Sequence, residues 1–247
     1  MKKIFKISWI IVAATVLMTG CGGDLTNPGS GDEDSYTVAA VLTKSLETDS
    51  AFIEISLLKN NQVFTEANVT LASIEISSNT VRYYRAYGPD TILVGNSYQL
   101  QISDSTTQIL STNITLPGSV TINGPDIRNY TGGAEAVAWS GSSGSSGYIL
   151  ATTPPAAFSD LDGYGEFTGN LSGSIPSETF MLNLTDRIVG THMIYVAAYT
   201  GAPFDGDAIP FDIPATGRPA NNITTGDVTG RVAGIVISSP DSIIVTN

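Results

Sequence analysis

Between Tyr36 and Ile122 the chain alternates apolar and polar residues in short runs separated by turn-forming residues. Ile53, Ile55 and Leu57 fall on one face of an extended segment and Glu54 and Ser56 on the other, and Lys59-Asn60-Asn61-Gln62 supplies a polar turn before Val63-Phe64. Ala67, Val69 and Leu71 repeat the period of two. Val81 to Tyr87 is rich in aromatics and ends at Gly88-Pro89-Asp90. Tyr98, Leu100 and Ile102 then alternate with Gln99 and Gln101, and Leu110, Ile114 and Leu116 carry the pattern to Pro117-Gly118. No stretch sustains a helical period. Strands recurring every ten to fifteen residues or so, with turn chemistry between them, predict an antiparallel sandwich over residues 36–122.

Gly124-Pro125, within Ile122 to Asn129, reads as a hinge, after which the same pattern resumes. Ala136-Val137-Ala138-Trp139 is followed by an almost pure Ser-Gly loop, Ser140 to Gly147, and then by Tyr148-Ile149-Leu150. Phe180, Leu182 and Leu184 alternate, as do Ile194, Val196 and Ala198 after Gly190-Thr191. Val232, Ile235 and Ile237 with Ile243-Ile244-Val245 add further strands toward the C-terminus. The expected fold class is all-β, with a second antiparallel β-sandwich over residues 123–247.

The N-terminal pattern is different. Lys2, Lys3 and Lys6 precede an apolar run from Ile7 to Met18, about 12 residues where a membrane-spanning helix needs roughly 20, so this is a secretion signal rather than a transmembrane anchor. Leu17-Met18-Thr19-Gly20-Cys21 resembles a bacterial lipobox, with Met18 where leucine is commonest. The resemblance implies cleavage of a signal peptide, residues 1–20, and lipidation of Cys21. Gly22 to Ser35 is rich in Gly, Asp, Asn, Pro and Ser without apolar period, so residues 21–35 read as the lipidated cysteine and a flexible tether. Gly22 stands where some inner-membrane lipoproteins carry a retaining aspartate, and Asp32-Glu33-Asp34 resembles the acidic run of some surface-exported ones. The expected location is the bacterial cell envelope, at the outer membrane, facing the periplasm or the exterior.

Two module resemblances accompany these patterns. Ala67, Val69, Leu71, Tyr84, Gly95, Tyr98, Leu100, Ile102 and Leu116-Pro117 resemble the immunoglobulin-like or transthyretin-like modules near the start of many bacterial surface lipoproteins. That likeness implies spacing, adhesion or docking. Trp139, the Ser-Gly loop, Tyr148 and Gly190-Thr191 with the following alternation are similar to a fibronectin type III domain, although Met193 replaces the tyrosine expected soon after the Gly-Thr pair.

Charge and cysteine content narrow the function classes. Only 14% of residues are charged, and loss of three lysines with the signal would take the net charge from −12 to −15. Such a surface repels phosphate backbones, which argues against nucleic acid as a partner. Cys21 is the one cysteine, so the exported part has no disulfide and no sulfur ligand.

Four groups of residues are candidates for chemistry. Arg82, Tyr83, Tyr84, Arg85 and Tyr87 have the composition of a recognition surface, although on a strand Tyr83, Arg85 and Tyr87 share one face and Arg82 and Tyr84 the other. Asp160, Asp162 and Glu166 offer oxygen ligands near the spacing calcium uses, but Tyr164 interrupts the pattern and no glutamate stands at the twelfth position; Asp205, Asp207 and Asp212 form a second acidic loop. Turn-forming Asp-Gly is the competing explanation. Trp139 reads as a core plug between sheets. His192, the sole histidine, has no partner at motif spacing, and no nucleophile elbow or phosphate loop is present. The expected function is a non-catalytic spacer, scaffold or binding module, anchored to the membrane by its N-terminal lipid and meeting an envelope protein or a glycan. The alternatives are a carbohydrate-binding accessory for nutrient capture and a hydrolase with an acidic pair assembled in space.

Overall fold

The structure, a computed structural model, describes residues 34–247 except Thr106 and Leu184. The signal peptide, Cys21 and the tether as far as Glu33 lie outside the described residues. Asp34 and Ser35, read from sequence as the end of the tether, are instead fixed to the folded body. Ser35 N donates to Asn60 Oδ1 at 2.9 Å, Asn60 N returns a bond to the Ser35 carbonyl at 2.8 Å, and Asp34 pairs with Lys59 at 2.7 Å. The positive-φ Asn60-Asn61 turn, a conformation asparagine tolerates, presents these groups.

Nearly all regular structure is strand, as the period of two predicts. The first half contributes β1 (Tyr36–Ser45), β2 (Ala51–Lys59), β3 (Gln62–Val63), β4 (Asn68–Leu71), β5 (Ile74–Glu75), β6 (Tyr83–Tyr87), β7 (Ser97–Asp104) and β8 (Thr107–Thr115). Then come β9 (Ile122–Asn123), β10 (Ile127–Asn129), β11 (Glu135–Trp139), β12 (Gly147–Thr153), β13 (Gly165–Thr168), β14 (Ser172–Ile175) and β15 (Gly190–Gly201). The chain ends with β16 (Ile223–Thr225), β17 (Val228–Ile237) and β18 (Asp241–Val245).

One eleven-stranded sheet runs through the fold in the order β10-β18-β15-β17-β1-β2-β3, with β12 and β13 continuing from β15, β16 on β17 and β6 on β2. A four-stranded sheet, β5-β4-β7-β8, and a three-stranded sheet, β14-β11-β9, complete the sandwich. Most pairings are antiparallel, but β1 runs parallel to β17 over its full ten residues and β10 runs parallel to β18. Parallel neighbours require a long crossover, and here the whole intervening chain supplies it.

The faces of the large sheet follow side-chain alternation. Val38, Ala40 and Leu42 of β1, Ile53, Ile55 and Leu57 of β2, and Val232 and Val236 of β17 pack with Val69, Leu71, Leu100, Ile102 and Ile114 of the four-stranded sheet. On the same face, Leu150, Ile194, Val196 and Ile243 pack with Val137 and Trp139 of the three-stranded sheet. The opposite face carries Val41, Ile149, Ala197, Ala233, Ile235 and Ile237, covered by Ile209, Phe211 and Ile213 from the irregular segment 202–222. Each fully buried aliphatic contributes on the order of 1.5–3 kcal/mol. Two sandwich regions thus share a single sheet.

Two local expectations change. The boundary between residues 122 and 123 falls inside β9, and the proposed hinge is built into the sheets: β9 pairs with β11 and β10 with β18. Arg128 locks it, donating to the carbonyls of Asn123 and Ala136 and pairing with Asp241 at 3.4 Å. Phe180 and Leu182, read as one face of a strand, instead flank the end of a 3-10 turn, Ser177–Phe180, that follows Pro176. Phe180 is buried and Leu182 exposed.

Candidate functional site

The Arg-Tyr cluster lies on β6, toward the edge of the large sheet, where it pairs with β2 and makes an isolated bridge to Ser78 on its other side. Tyr83 and Tyr87 are 1% and 5% exposed, so neither offers contact area to a ligand. Tyr83 Oη accepts a hydrogen bond from Ala67 N at 2.8 Å, and the Tyr87 hydroxyl is buried without a hydrogen-bond partner among the described residues. Burial pushes both phenols above their ordinary pKa. Tyr84 remains exposed and stacks on Phe52 at 6.2 Å between ring centroids. Arg85 donates to the Glu75 carbonyl at 2.7 Å and lies 5.6 Å from the Tyr87 ring centre. Of the five residues, Tyr84 and Arg85 keep exposed side chains, on opposite faces of β6 as the alternation requires.

Arg82 has a structural task. It bridges Glu54 of β2 and Asp207 of the 202–222 segment, and Glu54 Oε2 also accepts the Asp207 N–H at 2.9 Å. Glu54 is 8% exposed rather than solvent-facing, because that segment covers its face of β2. The fork of the guanidinium holds two carboxylates at once, which a lysine cannot reproduce. We expect Arg82→Ala to lower stability by about 2 kcal/mol by leaving Glu54 unpaired, and Arg82→Lys to recover less than half, as read from melting curves.

The acidic loops are occupied or dispersed. Glu166 Oε2 accepts the Tyr164 hydroxyl at 2.6 Å, while Asp160 and Asp162 are exposed. Asp205 caps the 202–222 segment, accepting from Ile213 N at 2.7 Å and from Arg218 at 3.1 Å. Among the described residues, no three His, Cys, Asp or Glu side chains come together in a way that could hold a metal.

Trp139 is 2% exposed and tilted against Tyr148 at 5.8 Å, the core plug its sequence context predicts. His192 is equally buried, with Nε2 2.9 Å from the Ile188 carbonyl and its ring edge-on to Phe180 at 5.2 Å. Burial lowers its pKa below the usual 6.5. Because the unfolded chain takes up this proton more readily than the folded one, the contribution of His192 is complete above about pH 6.5 and is lost as the pH falls below it. Melting temperature should therefore decline from pH 7 to pH 5, with a shallower slope in His192→Phe.

Phe180 also packs on Tyr130, centroids 4.6 Å apart, and Tyr130 forms part of a cleft of about 580 Å³ that sequence reasoning did not find. Its walls include Gly132-Gly133, Ser177, Glu178, Met181 and Arg187. Arg187 is held by a bond to the Thr246 carbonyl at 2.8 Å and by the Tyr130 ring, 5.5 Å from its guanidinium carbon. The one local hint was the Gly132-Gly133 pair; the rest is assembled from segments 57 residues apart, from Tyr130 to Arg187.

Register places the cleft. β1 begins at Tyr36, beside the bonded Asp34-Ser35, and its end, Ser45, lies level with Ile237 of β17, which faces Ala197 of β15. β15 then runs back to Gly190, opposite Val245 and next to Arg187. Nine steps along β1 and seven more along β15, at roughly 3.3 Å each, separate the two ends by about 50 Å along the strands.

Neither the protein-family models nor the curated proteins compared with this chain match it. Among solved structures, a crystal structure of the chicken CNTN1 FN1-FN3 domains is similar at 11% identity and a TM-score of 0.26, covering 65% of this chain and 57% of that one. The chain thus spans little more than half the length of that structure. The crystal structure of Dpr11 IG1 bound to DIP-gamma IG+IG2 is similar at 10% identity and a TM-score of 0.24, covering 87% of this chain and all of that one. The matched structures are built of fibronectin type III and immunoglobulin-like domains.

Proposed function

We propose that this chain is a lipid-anchored protein of the bacterial outer membrane that acts as a non-catalytic spacer and binding module. The observation that carries the reading is its polarity: the chain joins the fold at one end of the large sheet, and the 580 Å³ cleft lies about 50 Å along the strands from that point. A tether on Cys21 would then hold the cleft away from the bilayer. The strand next to the tether, β1, is bonded on both sides along nearly its whole length, so tension from an anchor is shared by many hydrogen bonds at once.

Metabolic labelling with an alkyne fatty acid tests the anchor. The full chain should take up label and remain with membranes, whereas Cys21→Ser should take up none and become soluble. An unlabelled wild-type chain would contradict the proposal.

A further inference from the structure

We infer that the cleft between Tyr130 and Arg187 binds an acidic sugar, with Arg187 taking the carboxylate and Glu178 the hydroxyls. This deepens the binding-module reading and rests on it. Its volume, about 580 Å³, is that of a site for a ligand of disaccharide size.

Arg187 is the chemical signal. Among the described residues Arg187, like Arg85 and Arg231, makes no ion pair, while Arg82, Arg128 and Arg218 each hold a carboxylate, and of the three without one it is Arg187 that lines the cleft. Its position is nonetheless set by Thr246 and Tyr130, so ordering the side chain costs a ligand little. A positioned guanidinium in a cleft recognises a planar anion through paired donors. On a chain this acidic, a single such group takes one carboxylate of a short acidic sugar and does not hold a long polyanion.

The other walls favour a sugar over a peptide. Glu178 is exposed, and one of its oxygens accepts a bond from Ser177 Oγ at 3.3 Å, leaving acceptor capacity for neighbouring hydroxyls. Gly132 and Gly133 have φ of 104° and 82° with nothing within 4 Å of a Cβ position, so this wall is bare backbone against which a ring face can lie. A peptide would need a row of free backbone groups to pair with. On the wall formed by Met181 these groups are already used: Met181 N bonds to Glu178 O, Leu182 N to Asp186 O, and Met181 pairs with Arg187 as an isolated bridge, which leaves only the short Gly132-Gly133 pair and no row of the length a strand needs.

The test is calorimetry on the full chain in detergent with digalacturonate, its uncharged counterpart digalactose, and a tripeptide with a free C-terminal carboxylate. Digalacturonate should bind at least tenfold more tightly than digalactose. Arg187→Gln should remove that preference, Arg187→Lys should keep part of it, and Glu178→Gln, on an exposed turn, should weaken both sugars. No binding of digalacturonate at millimolar concentration, equal binding of the two sugars, or tighter binding of the tripeptide would each overturn the inference. Failure of the anchor is separable, since an unlabelled Cys21 leaves these affinities unchanged; cleavage of digalacturonate would refute the non-catalytic reading while upholding the site.

Discussion

Gly230→Ala should lower the stability of the folded unit by about 3 kcal/mol, a fall of about 9 °C in melting temperature for a domain of this size. Gly230 lies in β17 at φ 146°, and a Cβ there would overlap the carbonyl of Val38 on the neighbouring β1. An L side chain is strained at that angle, and the obstacle is backbone, which cannot rotate away. The parallel β1-β17 ladder must therefore open locally, and this ladder joins the two sandwich regions. Gly226→Ala is the control. At φ 55° with nothing within 4 Å, it should cost only about 1 kcal/mol.

Trp139→Ala should cost about 4 kcal/mol, because the indole fills the space between the three-stranded sheet and Tyr148, Leu150 and Ile194. Its neighbour Gly173 cannot relax into the void without moving β14, which is paired along β11. Trp139→Phe should cost less than half as much. The Trp139 Nε1–H is buried without an acceptor among the described residues, so the smaller ring loses packing but also removes an unpaired donor. Urea denaturation of both variants checks the pair, with an unchanged slope expected if only stability is altered.

The strand pattern of the first region was legible because period-two alternation reports directly on which face is buried. Ile53, Ile55, Leu57, Val69, Leu71, Leu100 and Ile102 are all in the core. Trp139 was legible for the same reason, as a large apolar residue ending a short strand. Glu54 was not, since the sequence places it opposite Ile53 and Ile55 and only the 202–222 segment, some 150 residues away, turns that face into an interior. The role of Arg82 follows from the same contact, so its composition suggested recognition where its geometry gives a clamp. The pairing of β1 with β17 is equally non-local: neither strand carries a mark of its partner, and the Gly124-Pro125 turn looks like a hinge until β9 and β10 are placed in different sheets. The cleft escaped notice because no single segment holds more than part of it.

The polarity of the molecule can be measured directly. Spin labels on introduced cysteines at Ser35 and Ser177, in the full chain with Cys21 lipidated, should report a separation of about 50 Å by electron-electron resonance, following the strand register. A distance below about 30 Å would place the cleft beside the anchor and contradict the account.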